Sequence, residues 1–217
     1  MMPIPQITDE QFVAKLGKMP KKVRVLFNEM KYDECIPECE KILSKNPRSV
    51  LALTYLGVIY DDRKEYKKAI SYFDQAAAEL PQFFLVHYLN GFAHSEIDDF
   101  RGTKKSFLKY LEFNGSDGRV WSIVAQQENI ETGRIRAMQV LGEAERRATK
   151  NKDRIHEARA RILRRSDPDA ALLAYLEAQK TTEEKTQKEK YSKNIYDLIL
   201  KHIDPLKRTG INGLWKK

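Results

Sequence analysis

The chain has 217 residues, of which 41% are hydrophobic and 32% charged, and its formal net charge is +8. With 10 Tyr and 9 Phe it carries enough apolar bulk for packed structure, which excludes global disorder. No run reaches the ~18 apolar residues of a membrane span, and the opening MMPIPQITDEQF lacks the basic start and apolar centre of a secretion signal, so the expectation is a soluble, cytoplasmic protein without a transmembrane segment.

The first element is a short helix. Thr8 and Gln11 have capping-box spacing ahead of Phe12, Val13 and Leu16, which places a capping segment over 1–15 that covers the first repeat. From there the sequence steps in units of 34 residues, with starts at 16, 50, 84, 118 and 152. The clearest unit is 50–83, where Leu56, Gly57, Tyr60, Ala69, Phe73, Ala76 and Pro81 fill positions 7, 8, 11, 20, 24, 27 and 32. Each has a packing job: glycine and alanines let two helices approach, the aromatics fill the space between them, and proline ends the second helix. Unit 16–49 has a weak first helix but keeps Cys35, Cys39, Ile42 and Pro47 at positions 20, 24, 27 and 32, and Pro37 falls in the early turns of its second helix, where a missing N–H costs little. Unit 84–117 keeps Gly91 and Phe107 while His94, Thr103, Tyr110 and Gly115 depart. Unit 118–151 is degenerate, with Trp121, Ala125, Ala137 and Ala144 in register. Unit 152–185, also degenerate, has Ala171, Tyr175 and Ala178, with Ser166-Asp167-Pro168-Asp169 as turn and helix start. A sixth unit fails because Pro205 would sit inside its second helix; instead Tyr191, Ile195, Leu198, Ile199 and His202 form one apolar stripe on a capping helix over 186–204, followed by a basic tail, 205–217, with Lys207, Arg208, Trp215, Lys216 and Lys217.

This pattern resembles the tetratricopeptide repeat (TPR) superfamily over most of the chain, most strongly in 50–83. The resemblance implies an all-α fold, a right-handed α-solenoid of about five helical hairpins with a C-terminal capping helix, and it implies protein or peptide binding as an adaptor, chaperone or scaffold. In such arrays the first helix of each pair lines a concave groove. Transferred to this chain, the partner-binding positions are Leu51, Thr54 and Val58, then Leu85, Tyr88 and Phe92, with Asp61, Asp62, Ser95 and Glu96 beside them. An apolar peptide groove is one reading; cover by the N-terminal segment or a neighbouring helix is the other. The carboxylate clamp of heat-shock co-chaperones is missing, because its places hold Pro20, Arg24, Tyr55, Leu85 and Leu89. In character the apolar set is similar to the groove of class II type III secretion chaperones. Further along, Arg119, Ser122, Gln126 and Asn129 extend the groove in polar form, and Asp153, His156, Ala160, Leu163 and Arg164 follow. The expected ligand is extended, with apolar anchors followed by polar or acidic residues.

Charge is unevenly spread: residues 134–217 hold 21 Lys and Arg against 12 Asp and Glu, whereas 18 face 19 before them. Arg146, Arg147, Lys150, Arg154, Arg161 and Arg165 form a basic face, read either as a solvated surface or as a site for nucleic acid or an acidic partner. A structural assembly subunit or homo-oligomer is a third reading. The chain carries no GxxxxGK[ST], GxSxG or HExxH, so the expectation is a protein without catalytic residues, cofactor or metal. Cys35 and Cys39, four apart at packing positions, read as core thiols, and His87, His94, His156 and His202 do not complete a ligand set.

Overall fold

The computed structural model describes residues 8–208, with side chains to Ile199. Among these residues the chain is helical, with twelve helices: α1 Asp9–Leu16, α2 Lys21–Asn28, α3 Tyr32–Lys45, α4 Val50–Asp62, α5 Tyr66–Glu79, α6 Phe84–Glu96, α7 Phe100–Phe113, α8 Gly118–Glu131, α9 Arg134–Arg147, α10 Lys152–Leu163, α11 Pro168–Thr181 and α12 Lys185–Arg208. The period is visible in the backbone. First helices begin at 50, 84, 118 and 152, and second helices at 32, 66, 100, 134 and 168. The chain divides into two compact units, at Phe113 and Asn114.

In the first unit α2/α3, α4/α5 and α6/α7 form successive hairpins. Gly57 and Gly91 lie directly against the rings of Phe73 and Phe107, so the helices of each pair meet at a place where only a hydrogen fits. Ala69 and Ala76 are fully buried beside them, and the stacked rings of Tyr60 and Tyr72, 5.5 Å apart, fill the space at the other end. The weak first helix of 16–49 is only eight residues long, since Gly17 (φ 76°) and Pro20 separate it from α1, yet Met19, Val23 and Leu26 are buried with Cys35 and Cys39.

The turn inside each hairpin of the first unit uses the same backbone solution. Met30, Lys64 and Asp98, 34 apart, are all left-handed at φ 56°, 61° and 55°, and each donates its N–H to the carbonyl three residues earlier. Two tyrosines also join neighbouring repeats: Tyr32 reaches Asp62, and the Tyr66 hydroxyl lies 3.2 Å from Glu96.

The capping box at the start of α1 forms as expected, with Thr8 Oγ1 accepting from the Gln11 N–H at 3.2 Å and Gln11 Oε1 accepting from the Thr8 N–H at 3.1 Å. Its packing reaches from Leu43 of the first repeat to the repeats beyond it. Phe12 and Leu16 join Val50, Leu53, Leu80 and Val86, and Phe12 meets Phe83 edge-on at 6.3 Å, because those residues cluster where α5 hands over to α6 and leave an apolar edge there.

In the second unit α8/α9 and α10/α11 are hairpins, and α12 packs along α11. Tyr191 is fully buried and Leu198 nearly so, with Ile195 beside them against Ala160, Ala171 and Tyr175, so the apolar stripe is the docking face. The side chain of His202 and the tail residues Lys207, Arg208, Trp215, Lys216 and Lys217 lie outside the described side chains.

Candidate functional site

The six groove positions lie on the first helices of the second and third hairpins. At about 100° per residue, Leu51, Thr54 and Val58 share one side of α4, and Leu85, Tyr88 and Phe92 the same side of α6. They are not equally available. Thr54 is 6% exposed and its hydroxyl donates to the Val50 carbonyl at 2.7 Å, while Leu51 and Val58 are half-buried against neighbouring clusters. Leu85 and Phe92 are exposed by 41% and 37%. Tyr88 is half-buried in an aromatic set, with centroids 4.9 Å from Phe92 and 5.2 Å from Tyr110, and Phe92 lies 5.1 Å from Phe107. The third repeat thus turns a ridge of Leu85, Phe92 and part of Tyr88 outward, pinned from below by α7. The apolar residues clustered with Phe12 and Leu16 include none of the six.

Other groove candidates are engaged within the fold. Asp62 and Glu96 accept from Tyr32 and Tyr66, and Asp61, half-buried beside Asp62 and Glu96, has its carboxyl pushed up, first by burial and then by those two charges. The recurrence of Tyr at the start of α3 and α5, 30 residues before an acid, is the sequence signal that encodes these tyrosine links.

In the second unit the polar positions are also engaged locally. Arg119 forks onto Asp117 with contacts of 3.3 and 3.0 Å; the Ser122 hydroxyl donates to the Arg119 carbonyl at 2.7 Å, Gln126 donates to the Ser122 carbonyl at 3.1 Å, and Asn129 is half-buried. Asp117 is the side-chain cap of α8 and also accepts from Asn151 at 2.9 Å; burial raises its carboxyl, but the Arg119 and Asn151 bonds outweigh it and hold it below the usual value.

The basic face is largely matched with acids. Arg146 is paired with Glu143, Arg161 contacts Glu157 at 2.7 Å, Arg154 reaches Glu157 at 3.2 Å, and Arg147 lies over the Trp121 ring at 5.3 Å. Arg159 contacts Glu145 at 2.6 Å. Lys150 and Arg165 are exposed. Around Glu157 the pairing is a buried network: Asp153 and Glu157, 6% and 5% exposed, both accept from the Tyr191 hydroxyl, at 2.9 and 3.2 Å, and Lys190 adds a contact of 2.9 Å to Glu157. Asp153 and Ala160, expected in the groove, therefore face α12 instead, because that helix occupies the place of a sixth repeat's first helix.

Cys35 and Cys39 are free and fully buried in the first-unit core. Burial pushes both thiols up, Cys39 to about 12, so neither is a thiolate at neutral pH. His156 is half-buried near Glu145, and burial lowers its pKa despite that carboxylate.

No family model and no curated protein matches the sequence. Solved structures do match. MamA superposes with a TM-score of 0.66 at 16% identity, over 82% of this chain and 99% of that one. Pseudomonas aeruginosa PilF gives 0.59 at 19% identity, over 79% and 78%. YrrB, described as a TPR protein with an unusual peptide-binding site, gives 0.55 at 14%, over 76% and 91%. The chain has the all-α helical repeat fold of TPR proteins. At these identities the likeness speaks for the fold alone.

Proposed function

We propose that the protein is a non-enzymatic interaction scaffold of adaptor or chaperone type that acts in the cytoplasm and holds a partner segment on the α4/α6 face of its first unit. The observation that carries this reading is the outward ridge of Leu85, Phe92 and Tyr88. Leu85 and Phe92 stay exposed by 41% and 37% although the aromatic rings of α7 back the ridge, and it is apolar where a solvated helix would be charged. The fold gives the face rigidity, since α5 and α7 hold α4 and α6 at fixed spacing, and a preordered surface loses little entropy on binding. Apolar anchors of an extended partner segment are the chemistry that fits it. No helix among the described residues is long and apolar enough to cross a membrane.

Two rivals remain. A nucleic-acid or acidic partner on Arg146, Arg147, Lys150, Arg154, Arg161 and Arg165 is weakened by the pairing of four of these six with acids or an aromatic ring, which leaves less charge to attract phosphate. A structural subunit or homo-oligomer would use the same exposed apolar residues against a copy of itself.

Affinity capture at low and high salt, comparing wild type with Leu85→Asp, tests the reading. Leu85 is the better site for a variant because Tyr88 and Phe92 also hold α6 to α7. A protein partner retained at high salt and lost in Leu85→Asp, with helicity unchanged, is the expected result. Capture that Leu85→Asp leaves intact and that salt abolishes would transfer the function to the basic face. Sedimentation of the purified protein tests the homo-oligomer, which predicts a multiple of 25.3 kDa that Leu85→Asp dissociates.

A further inference from the structure

The apolar face of the first unit ends in charge. On α6 the ridge of Leu85, Tyr88 and Phe92 continues one turn later at Glu96, and on α4 the row of Leu51, Thr54 and Val58 continues at Asp61 and Asp62. Residues three and four apart on a helix are surface neighbours, so the apolar and acidic positions form one continuous face. Asp62 and Glu96 are exposed, and Asp61 is half-buried beside them.

These three acids meet without a counter-charge. Tyr32 and Tyr66 donate their hydroxyls to Asp62 and Glu96, the second at 3.2 Å, but a hydroxyl is neutral, and a carboxylate that accepts one such bond keeps its charge and most of its lone pairs. Burial first, and then the like charges of Asp62 and Glu96, push the Asp61 carboxyl up. Among the described residues none of the three takes part in an ion pair. Cations of the same turns go elsewhere: Arg63 contacts Asp33 at 2.6 Å, Lys31 contacts Glu29 at 2.8 Å, Lys68 pairs with Glu65, and Lys64 is exposed. The second unit does the opposite, since its Glu143, Glu145 and Glu157 each hold an arginine.

We propose that the ridge takes a protein segment whose apolar anchors adjoin a lysine or arginine, with the cation over Asp61, Asp62 and Glu96. This rests on the reading of the ridge as the binding face and adds the chemistry of its partner. Helix rise sets the spacing: Leu85 and Phe92 lie ~10 Å apart along α6, and Glu96 lies ~6 Å further. An extended segment therefore carries two anchors about three residues apart and its cation about two residues beyond them. Burial of the anchors supplies most of the affinity, and charge makes the selection: a cation relieves the repulsion among the three acids, whereas an acidic residue in that place adds to it. The acidic stretch expected of the partner from the sequence is thus disfavoured at this end of the first unit.

The test is calorimetric titration of the full chain with the blocked peptide Leu-Gly-Gly-Phe-Gly-Lys-Lys and its reversed sequence, each against counterparts in which glutamine or glutamate replaces lysine. The expected result is saturable binding of a lysine peptide, about tenfold or more tighter than the glutamate one at low salt. Leu85→Asp should abolish it. Asp62→Asn with Glu96→Gln keeps acceptors for both tyrosine hydroxyls and should reduce the preference to about twofold or less. Wild type gives a readout that needs no variant: the preference should shrink as salt rises from about 20 to about 500 mM, while binding of the glutamine peptide holds. Equal binding of all three charges, lost in Leu85→Asp, overturns the proposal and leaves the ridge as the binding face. Undiminished binding of the lysine peptide to Leu85→Asp overturns both. No saturation up to about 10 mM, or a preference kept in the folded Asp62→Asn, Glu96→Gln variant, also overturns it. So does affinity that falls as protein concentration rises, which would place a second copy on the ridge.

Discussion

A methyl group at Gly57 would run into the Phe73 ring, and at Gly91 a Cβ would come within 2.5 Å of Phe107. Both positions lie in the seam of a hairpin, where backbone and ring meet with no space to yield. Gly57→Ala should therefore lower unfolding free energy by about 1–3 kcal/mol, and Gly57→Leu should unfold the second hairpin; denaturant melts followed by circular dichroism measure both. A different residue-scale constraint acts at the turns. Lys64 holds φ 61° with an ordinary side chain, which costs roughly 1–2 kcal/mol relative to glycine's freedom there. Lys64→Gly should leave the fold unchanged and not reduce its melting temperature, because relief of strain offsets the extra entropy of the unfolded chain. The cysteines sit on packing positions with no exposed surface, and burial pushes the Cys39 thiol up to about 12. Iodoacetamide at neutral pH should leave both unmodified in the folded protein and label them in denaturant; rapid labelling without denaturant would contradict their burial.

At the scale of the element, α12 shows how one helix can end a repeat array. Its apolar stripe closes the core of Ala160, Ala171 and Tyr175, and Tyr191 adds a polar lock onto Asp153 and Glu157. Tyr191→Phe keeps the ring and removes the donor from two buried carboxylates, so a loss of about 1–3 kcal/mol is expected, read by chemical denaturation. The lock also has a pH signature. Burial raises the Glu157 carboxyl, but Lys190, Arg161 and Arg154 more than compensate and its folded pKa lies below the ordinary 4.5. A depressed folded pKa means that the unfolded chain binds the proton first as the solution is acidified. The contribution is complete above 4.5 and is lost as pH falls below that value through the lower folded pKa. Glu157→Gln should flatten this acid limb of the stability curve; an unchanged limb would mean that other carboxylates carry it. At the other end, α1 has no fully buried residue and packs through half-buried Phe12 and Leu16, so it should be the first element to detach, and its removal should expose the Phe83 edge without unfolding the hairpins.

At the scale of the whole molecule, a net charge of +8 by itself points toward polyanions, yet Arg146, Arg147, Arg154, Arg159 and Arg161 of the basic stretch are matched to Glu143, Glu145 and Glu157. Binding of an uncharged segment through the apolar ridge should change by less than about twofold between low and high salt, whereas binding through many phosphate contacts would fall by orders of magnitude. Much of this molecule was legible in the sequence, because a 34-residue step is written in small and aromatic residues whose sizes have to match: Gly57 against Phe73, Gly91 against Phe107, Ala171 and Ala178 beside Tyr175. These fixed the helix starts at 50, 84, 118 and 152, and the stripe on α12 foretold its docking face. What only the tertiary structure decided is which polar and exposed positions are used up. Residues 30 or more apart, such as Tyr66 with Glu96 or Tyr191 with Asp153, meet only once the helices have stacked, so periodicity along the chain could not show that Asp153 faces α12 or that Asp61 lies beside Glu96. Local spacing determines packing, since the period repeats in sequence; availability for binding depends on what the finished fold leaves uncovered.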